Sequence, residues 1–474
     1  MNEQKSGATT RFPWLVPLVL SVALFMENMD STVIATSLPA IAEDIGSTPV
    51  ALKLAFTAYF LALAIFIPVS SWLGDRFGPT RVFRVAILIF MLGSLGCAFA
   101  TSLQGFVLAR FLGGMGGAMM TPLARLMLYR ITPRAGLMRA TALMTIPAVA
   151  APLMGPLIGG ALTTFLSWHW IFLINLPVGL AGIAATGRLI REVPTVPVRD
   201  LDWRGFLLLA VTFSGLMSGA SLISLPILPV WMSLTITLTG LVGGWAYLRH
   251  ARRHPDPLLD PAIFADPVFR HATTATLVFL IGAGAVPFLL PLMLQLGFGL
   301  SAFEAGMITF AGGIGAITAK LISTHVFASH GFRNPMILAA VLSATGLAIK
   351  GLLTPETPHL LIVSLLVAGG VLRSLFFTGQ HVLTISEIPA QDVGAALSLT
   401  TVLRPIATAL GVAMAGGMLE MGSHQTGGLT LSAFHMAFFA LSLVAALAIL
   451  PLMRLAASSG HEMSGQVVPM RSSP

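Results

Sequence analysis

Apolar runs of about 20 residues, separated by short polar segments, fill almost the whole chain. A run of that length is what an α-helix needs to cross the hydrocarbon core of a bilayer. The pattern predicts fourteen membrane-spanning helices, at residues 14–37, 50–71, 82–100, 104–128, 140–163, 168–187, 205–223, 227–248, 272–296, 303–325, 335–353, 359–382, 393–418 and 432–454. We therefore predict an all-α polytopic membrane protein.

Composition supports that class. The chain of 474 residues is 56% hydrophobic and only 9% charged, whereas soluble domains carry about 25% charged residues. A single cysteine, Cys97, excludes an internal disulfide, a cysteine-based zinc site and an iron–sulfur cluster. Glu27 and Asp30 interrupt the first apolar run and no small-residue cleavage site follows it, so we expect a retained span rather than a signal peptide.

The positive charges fall almost entirely on one side of the predicted spans. Of 26 Lys and Arg residues, 19 lie in segments on the side of the N-terminus, five lie within spans, and only Lys53 and Lys350 lie on the other side. Basic residues accumulate on the cytoplasmic side, so both termini are predicted to be cytoplasmic, in a bacterial inner membrane. The net charge of +8 at pH 7 therefore reflects topology rather than nucleic-acid binding.

The spans group as six, two and six. We predict an N-terminal bundle at 1–187, cytoplasmic linkers with two inserted spans at 188–271, and a C-terminal bundle with a short tail at 272–474. Two six-span bundles are typical of transporters built from repeats.

The first span carries two carboxylates, Glu27 and Asp30, which share a helix face at spacing i, i+3. An ionisable group in hydrocarbon is costly and marks a functional site by default. The pair could exchange protons in a proton-coupled carrier, or it could be a hydrated pair at a helix end.

Three further motifs lie in the first six spans. Residues 71–81 form a turn between spans two and three, containing Gly74, Asp75, Arg76 and Gly78. Span four holds Arg110, which cannot lose its proton and so needs a partner. Span five contains Gly155, Pro156, Gly159 and Gly160. Proline bends a helix and the glycines allow a second helix to approach closely.

In this order and at these spans, the motifs resemble the major facilitator superfamily over essentially the whole chain. Within it the chain resembles the fourteen-span drug:proton antiporters through the runs 30–39 and 168–177. It resembles the MdtD-type exporters of enterobacteria through residues 117–120, Pro122, 124–126 and 287–295. The resemblance implies a conformational latch at Gly74, Asp75, Arg76 and Gly78, and a role in proton transfer for Arg110. It also implies that Gly155, Pro156, Gly159 and Gly160 form the motif typical of antiporters, which favours export.

Some positions depart from the family pattern. Ser71 replaces the first glycine of the latch, Pro79 and Thr80 replace two basic residues, and His169 replaces an arginine. Glu27 lies outside the pattern, so its role rests on physical argument alone.

The second half carries Arg373 and Arg404 within spans and no carboxylate in mid-span. Two unpaired arginines facing a central cavity would favour an anionic substrate. Alternatively, both point to helix interfaces and bond to carbonyl groups. Tyr59 and Arg125 complete the substrate-binding candidates.

The sequence therefore predicts a proton-coupled exporter of small molecules, with Asp30, Glu27 and Arg110 in proton coupling. Lipophilic drugs are one substrate class, and an organic anion such as a carboxylate metabolite or metal chelate is the alternative. Enzyme motifs and a phosphate-binding loop are missing from the sequence. We expect no cofactor beyond the proton gradient, no metal site, no nucleic-acid partner and a monomer in the lipid bilayer.

Overall fold

The computed structural model describes residues 14–190, 192–193, 195, 200–426 and 428–464. In these residues the regular structure is helical. The α-helices of the N-terminal half are α1 Leu15–Val33, α2 Leu38–Asp44, α3 Lys53–Phe77, α4 Pro79–Ala98, α5 Leu103–Ile131, α6 Leu137–Phe165, α7 Trp170–Leu173 and α8 Asn175–Leu189. The middle of the chain forms α9 Trp203–Leu222 and α10 Val230–Ala251. The C-terminal half contains α11 Pro267–Ala283, α12 Val286–Leu292, α13 Ala302–His330, α14 Arg333–Lys350, α15 His359–Leu383, α16 Val393–Thr426, α17 Leu431–Leu447, α18 Ile449–Met453 and α19 His461–Ser464.

Within the described residues, 12 helical segments are long and apolar enough to cross a membrane. The two other predicted spans, 227–248 and 335–353, coincide with the helices α10 and α14, which are not among the 12. Serine, threonine and glycine dilute the apolar residues of α10, and α14 has only 18 residues with Arg333 and Lys350 at its ends. The all-helical, multi-span class predicted from the sequence is confirmed; the count of fourteen remains a prediction.

One predicted span is broken. Residues 272–296 form α11, a break at Gly284 and Ala285, and then α12, which ends in a π-helical turn at Met293–Gly297. Pro287 and Pro291 lie in this second part. Because proline lacks an N–H donor, it weakens the helix at these points.

The two halves meet along two helix pairs. The first pair is α6 with α13, and the second is α3 with α16. We call the two ends of the bundle the Asp75 end and the Lys53 end, after the residues near the two ends of α3. The close approaches of α6 to α13 run from Leu153 against Gly313 to Gly160 against Ala302, and so lie toward the Lys53 end.

Of the two middle helices, α9 packs against both halves. α9 contacts α3 and α16, whereas α10 packs on α9. Thr57 and Ser221 share a hydrogen bond of 2.7 Å, and Lys53 Nζ donates to Ser224 Oγ at 2.5 Å. The Lys53 side chain is completely buried, so this residue lies inside the bundle rather than in the outer loop that the charge pattern indicated.

Candidate functional site

The centre of the N-terminal half contains an ion pair between α1 and α5. Arg110 Nη1 donates to Asp30 Oδ2 at 2.6 Å, and the two side chains are only 3% and 2% exposed. Asp30 Oδ1 and Arg110 Nε are buried without a hydrogen-bond partner. The pair is therefore held by one contact, with one atom on each side left unsatisfied.

Aromatic rings surround the guanidinium group of Arg110. Its Cζ atom lies 4.3 Å from the centre of the Tyr59 ring and 5.9 Å from that of Phe172. Tyr59 itself is 1% exposed, and its hydroxyl donates to the backbone oxygen of Glu27 at 3.4 Å. A cation over a ring face is stabilised by the ring quadrupole, so Tyr59 lies against the ion pair.

Glu27 has a different environment from Asp30 although the two share a helix face. It is partly exposed, and Thr121 Oγ1 donates to its Oε2 atom. Arg125, one turn further along α5, is close enough for a Coulombic attraction to Glu27. The Asp30 carboxylate is thus enclosed by protein, whereas the Glu27 carboxylate lies next to the Thr121 hydroxyl and near the exposed Arg125.

The predicted latch lies at the junction of α3 and α4. Arg130 Nη2 contacts Asp75 Oδ1 at 2.5 Å, with both side chains about one quarter exposed, at 26% and 24%. Gly78 ends α3 with φ +94°, a conformation that favours glycine. Arg76 lies 6.0 Å from the ring of Trp72. Since α3 and α5 both belong to the N-terminal half, this pair joins helices within one half.

Gly74, the remaining latch residue, allows a close helix contact. A Cβ atom there would overlap the side chain of Leu123 on α5.

The glycines of α6 allow contact with two different helices. A Cβ atom at Gly155 or Gly159 would overlap Thr32 or Val33 of α1, respectively. At Gly160 a Cβ atom would overlap the carbonyl oxygen of Ala302 on α13. The Pro156 carbonyl oxygen accepts a hydrogen bond from Thr36 Oγ1 at 3.4 Å. This part of α6 is consequently packed between α1 and the C-terminal half.

Comparisons with known proteins agree with this architecture. The family description Major Facilitator Superfamily matches residues 20–412. A protein named putative multidrug resistance protein MdtD, from Salmonella paratyphi B, is 35% identical over 432 residues, which is 89% of each chain. Its namesake from Salmonella typhi has the same identity and coverage.

This chain belongs to the major facilitator superfamily.

Solved structures of this superfamily share the fold. The D-xylose–proton symporter aligns with a TM-score of 0.69 at 14% identity, over 95% of this chain and 99% of its own. The nucleoside transporter NupG aligns with a TM-score of 0.68 at 14% identity, over 93% of this chain and all of its own. The family predicted from the sequence motifs is confirmed, and so is the similarity to MdtD-type proteins.

A cluster of basic side chains, which we call the vestibule, includes residues of both halves of this superfamily member and lies toward the Asp75 end. It is defined by Arg125, Lys320, His381 and Arg404. Arg404 is partly exposed and the other three are exposed. Arg404 Nη1 lies 3.3 Å from His381 Nε2, and its Cζ atom lies 4.8 Å from the ring centre of Phe377.

Arg373 lies elsewhere. It borders a cavity within the C-terminal half together with Lys350. Sequence analysis treated Arg373 and Arg404 as one pair, but the structure separates them into a cavity and a vestibule.

The His250 and His254 pair lies beside Asp202, whose Oδ1 atom is 2.8 Å from His250 Nε2. Ligand atoms of the three residues lie within 4.8 Å of one another. Asp202 Oδ1 also caps α9 by accepting from the Gly205 N–H group. This hydrogen-bonded cap accounts for the cluster, and the predicted absence of a metal site stays a prediction.

Sequence reasoning missed three residues of these sites, namely Thr121, His381 and Lys350. Thr121 and His381 are ordinary polar residues within apolar runs, and their partners are distant in sequence. Lys350 ends a span, and nothing in the local sequence distinguishes a lysine that extends outward from one that folds back into a cavity.

Proposed function

We propose that this chain is a proton-coupled exporter of small molecules, of the multidrug-efflux type. The observation that carries the proposal is the enclosed Asp30–Arg110 pair beside the partly exposed Glu27 carboxylate. The relatives named putative multidrug resistance protein support the substrate class.

A chain of packed contacts supports a mechanism for coupling. Protonation of Asp30 removes the charge that Arg110 pairs with, which weakens the attachment of α1 to α5. Thr32 and Val33 follow Asp30 on α1 and contact the glycines of α6. Gly160 of α6 in turn contacts α13. A change at Asp30 would therefore shift α1 against α6, and α6 against the other half.

The remaining features of the proposal concern architecture. We propose fourteen spans, since α10 and α14 are helices of 22 and 18 residues that pack beside other spans. The bundles are 1–187 and 272–474, with 188–271 between them, and both termini face the cytoplasm of a bacterial inner membrane. The protein acts as a monomer without enzymatic activity, and the proton gradient is its only energy source.

Transport by purified protein in proteoliposomes tests the proposal. An imposed pH gradient is expected to drive ethidium against its concentration gradient in the wild type. Asp30→Asn is expected to abolish this uphill transport and to retain the fold, because asparagine keeps the shape but cannot exchange a proton. Glu27→Gln should reduce the rate less. Uphill transport by Asp30→Asn at the wild-type rate would overturn the assignment of the proton site.

A second candidate function is export of an organic anion. It is favoured by the vestibule, where the charges of Arg125 from the N-terminal half and of Lys320 and Arg404 from the C-terminal half all act on His381. Such a surface attracts anions and repels cations. Testing ethidium and an aromatic carboxylate in the same proteoliposomes separates the two functions.

A further inference from the structure

The C-terminal half encloses a cavity of about 510 Å³. Helices α11, α12, α13, α14 and α15 surround it, and it reaches Thr32 of α1 and Pro156 of α6. Sites for small molecules typically have volumes of about 300–1,000 Å³. The cavity is therefore large enough for an organic ligand, and it borders the contact between the halves.

Two cations line this cavity. Lys350 is 5% exposed, and its Nζ atom donates to the carbonyl oxygen of Gly346 at 3.1 Å. Arg373 makes no hydrogen bond or ion pair with any residue that the structure describes. None of the residues lining the cavity is acidic. Lys350 is buried and Arg373 is partly exposed. Removing cations from water without a carboxylate nearby is expensive, which indicates that an anion neutralises them.

The two cations are close together. A Cβ atom at Gly369 would lie 3.7 Å from Lys350 Nζ, and Gly369 is one helical turn before Arg373 on the same face of α15. The two charges also repel each other electrostatically. Ser343 adds a hydroxyl group, since its Oγ atom is buried without a hydrogen-bond partner and Ser343 borders the same cavity.

The rest of the wall is mostly apolar. Phe279, Val286, Leu290 and Leu366 are typical of it. A ligand that fits this cavity would place an acidic group at the cations and an apolar body against the carbon surface.

We propose that this cavity binds an amphipathic organic anion, with its acidic group between Lys350 and Arg373 and its apolar body against α11, α12 and α13. The guanidinium group of Arg373 can donate two parallel hydrogen bonds to the acidic group, and the ammonium group of Lys350 and the hydroxyl group of Ser343 can donate one each. This proposal names a class of cargo for one site of the proposed exporter. The role of the bound anion as cargo therefore rests on the proposed export function.

Binding of a matched pair of probes tests the inference. The probes are 8-anilinonaphthalene-1-sulfonate and its uncharged parent N-phenyl-1-naphthylamine, which differ by the sulfonate group. Equilibrium dialysis uses the full chain in phosphatidylcholine nanodiscs, with empty nanodiscs as the reference. The sulfonate probe is expected to bind more tightly than its parent.

Four variants locate the site. Lys350→Met and Arg373→Met keep the bulk and remove one charge each, so each should weaken sulfonate binding by about 10-fold or more and leave the parent unchanged. Gly369→Leu keeps both charges but fills the cavity, so it should weaken both probes. Arg253→Gln removes an exposed charge on the linker after α10 and should change neither.

Thermal stability checks folding. Without ligand, Lys350→Met and Arg373→Met should be at least as stable as the wild type, because each removes a cation that has no carboxylate partner in the cavity wall. Sulfonate binding that survives in both variants overturns the proposal, and its loss in Arg404→Gln instead would assign the anion to the vestibule.

A lipid and a free molecule can present the same acidic group. Nanodiscs containing phosphatidylglycerol distinguish them: displacement of the sulfonate probe by this lipid assigns the site to an acidic lipid headgroup, and unchanged binding assigns it to a free anion. Dialysis needs no proton gradient and no transport, so it measures this site alone. Loss of proton coupling would appear in the proteoliposome transport assay, and absence of this site would appear in dialysis. The two failures can therefore be distinguished.

Discussion

The ion pair of Asp30 and Arg110 places two charges inside the N-terminal half, where removing them from water is costly. Both groups are almost completely removed from water, and each leaves one polar atom without a partner. A buried pair contributes little net stability, but the loss of one member leaves an uncompensated charge. The pair is therefore suited to switching, because adding one proton changes its energy more than it would change that of an exposed pair.

This reasoning gives a stability prediction for Arg110. Arg110→Met should destabilise the purified protein by about 3 kcal/mol, because the Asp30 carboxylate loses its partner. The double variant Asp30→Asn/Arg110→Met should recover most of that loss, since no buried charge remains. Thermal unfolding in one detergent measures the three proteins. Equal stability of Arg110→Met and the wild type would contradict this account of the pair.

Single residues also show how far the sequence could predict the site. Asp30 and Arg110 were identifiable because an ionisable group within an apolar run is rare. Their contact was not, since it joins positions 80 residues apart and several other ionisable groups were available as partners. Lys350 was assigned to an outer loop for a similar reason: a flexible side chain at a helix end can extend either way.

At the scale of secondary-structure elements, α6 has the central position. One part of it contacts α1 through Gly155 and Gly159, and Gly160 contacts α13. Glycines permit backbone contact and leave no side chain to interlock, so α6 can slide against both neighbours.

Bulk in this contact should therefore stop the movement. Gly159→Leu is expected to reduce transport by at least 10-fold, because its side chain would enter the space occupied by Val33 and Thr36. Gly394→Leu is the matched control, since a Cβ atom there meets nothing within 4 Å. Proteoliposome transport and ligand binding are measured for both.

Gly159→Leu should retain ligand binding while it loses transport. If both variants transport at the wild-type rate, the glycines of α6 serve only to fill space.

Most elements could be predicted from the sequence because their hydrophobicity extends over the whole span. The interruption between α11 and α12 could not be predicted from hydropathy, since the residues around Gly284 and Ala285 are as apolar as their neighbours, and prolines alone do not identify it because α6 contains three and is continuous. α16 also continues to Thr426, well past the predicted end at 418. Hydropathy locates a span, but the backbone break and the helix end depend on packing.

At the scale of the whole molecule, the halves touch through α6 and α13 toward the Lys53 end, and the basic vestibule lies toward the Asp75 end. Transport by alternation requires the contact between α6 and α13 to separate. The rings of Phe165 and Phe303 lie 5.2 Å apart on the two halves and mark a place to test this.

A cross-link between these positions should hold the present state. Phe165→Cys and Phe303→Cys, combined with Cys97→Ala, are joined by a short bis-methanethiosulfonate reagent. Transport should fall to the background level and return after reduction, whereas Phe165→Cys alone should be unaffected. Normal transport by the fully cross-linked protein would show that these two helices do not separate.

At this scale the sequence predicted a middle pair of helices but not its location. The stretch 205–246 contains no ionisable residue, and this is why the sequence predicts two apolar helices there. The contact of α9 and the residues after it with α3 includes a hydrogen bond between Thr57 and Ser221 and one from Lys53 to Ser224. These are polar residues at span ends or within apolar runs, and nothing in the local sequence identifies their partners.

The position of α9 and α10 has a consequence for how molecules reach the protein from the lipid phase. A two-bundle transporter has two seams that face the bilayer. Here α9 covers the seam between α3 and α16, and α10 adds a second layer with exposed tryptophans at Trp231 and Trp245. The seam between α6 and α13 has no such cover among the described helices. Cargo dissolved in the membrane would therefore enter through the seam between α6 and α13 only. The two sides of the protein that face the bilayer are thus not equivalent.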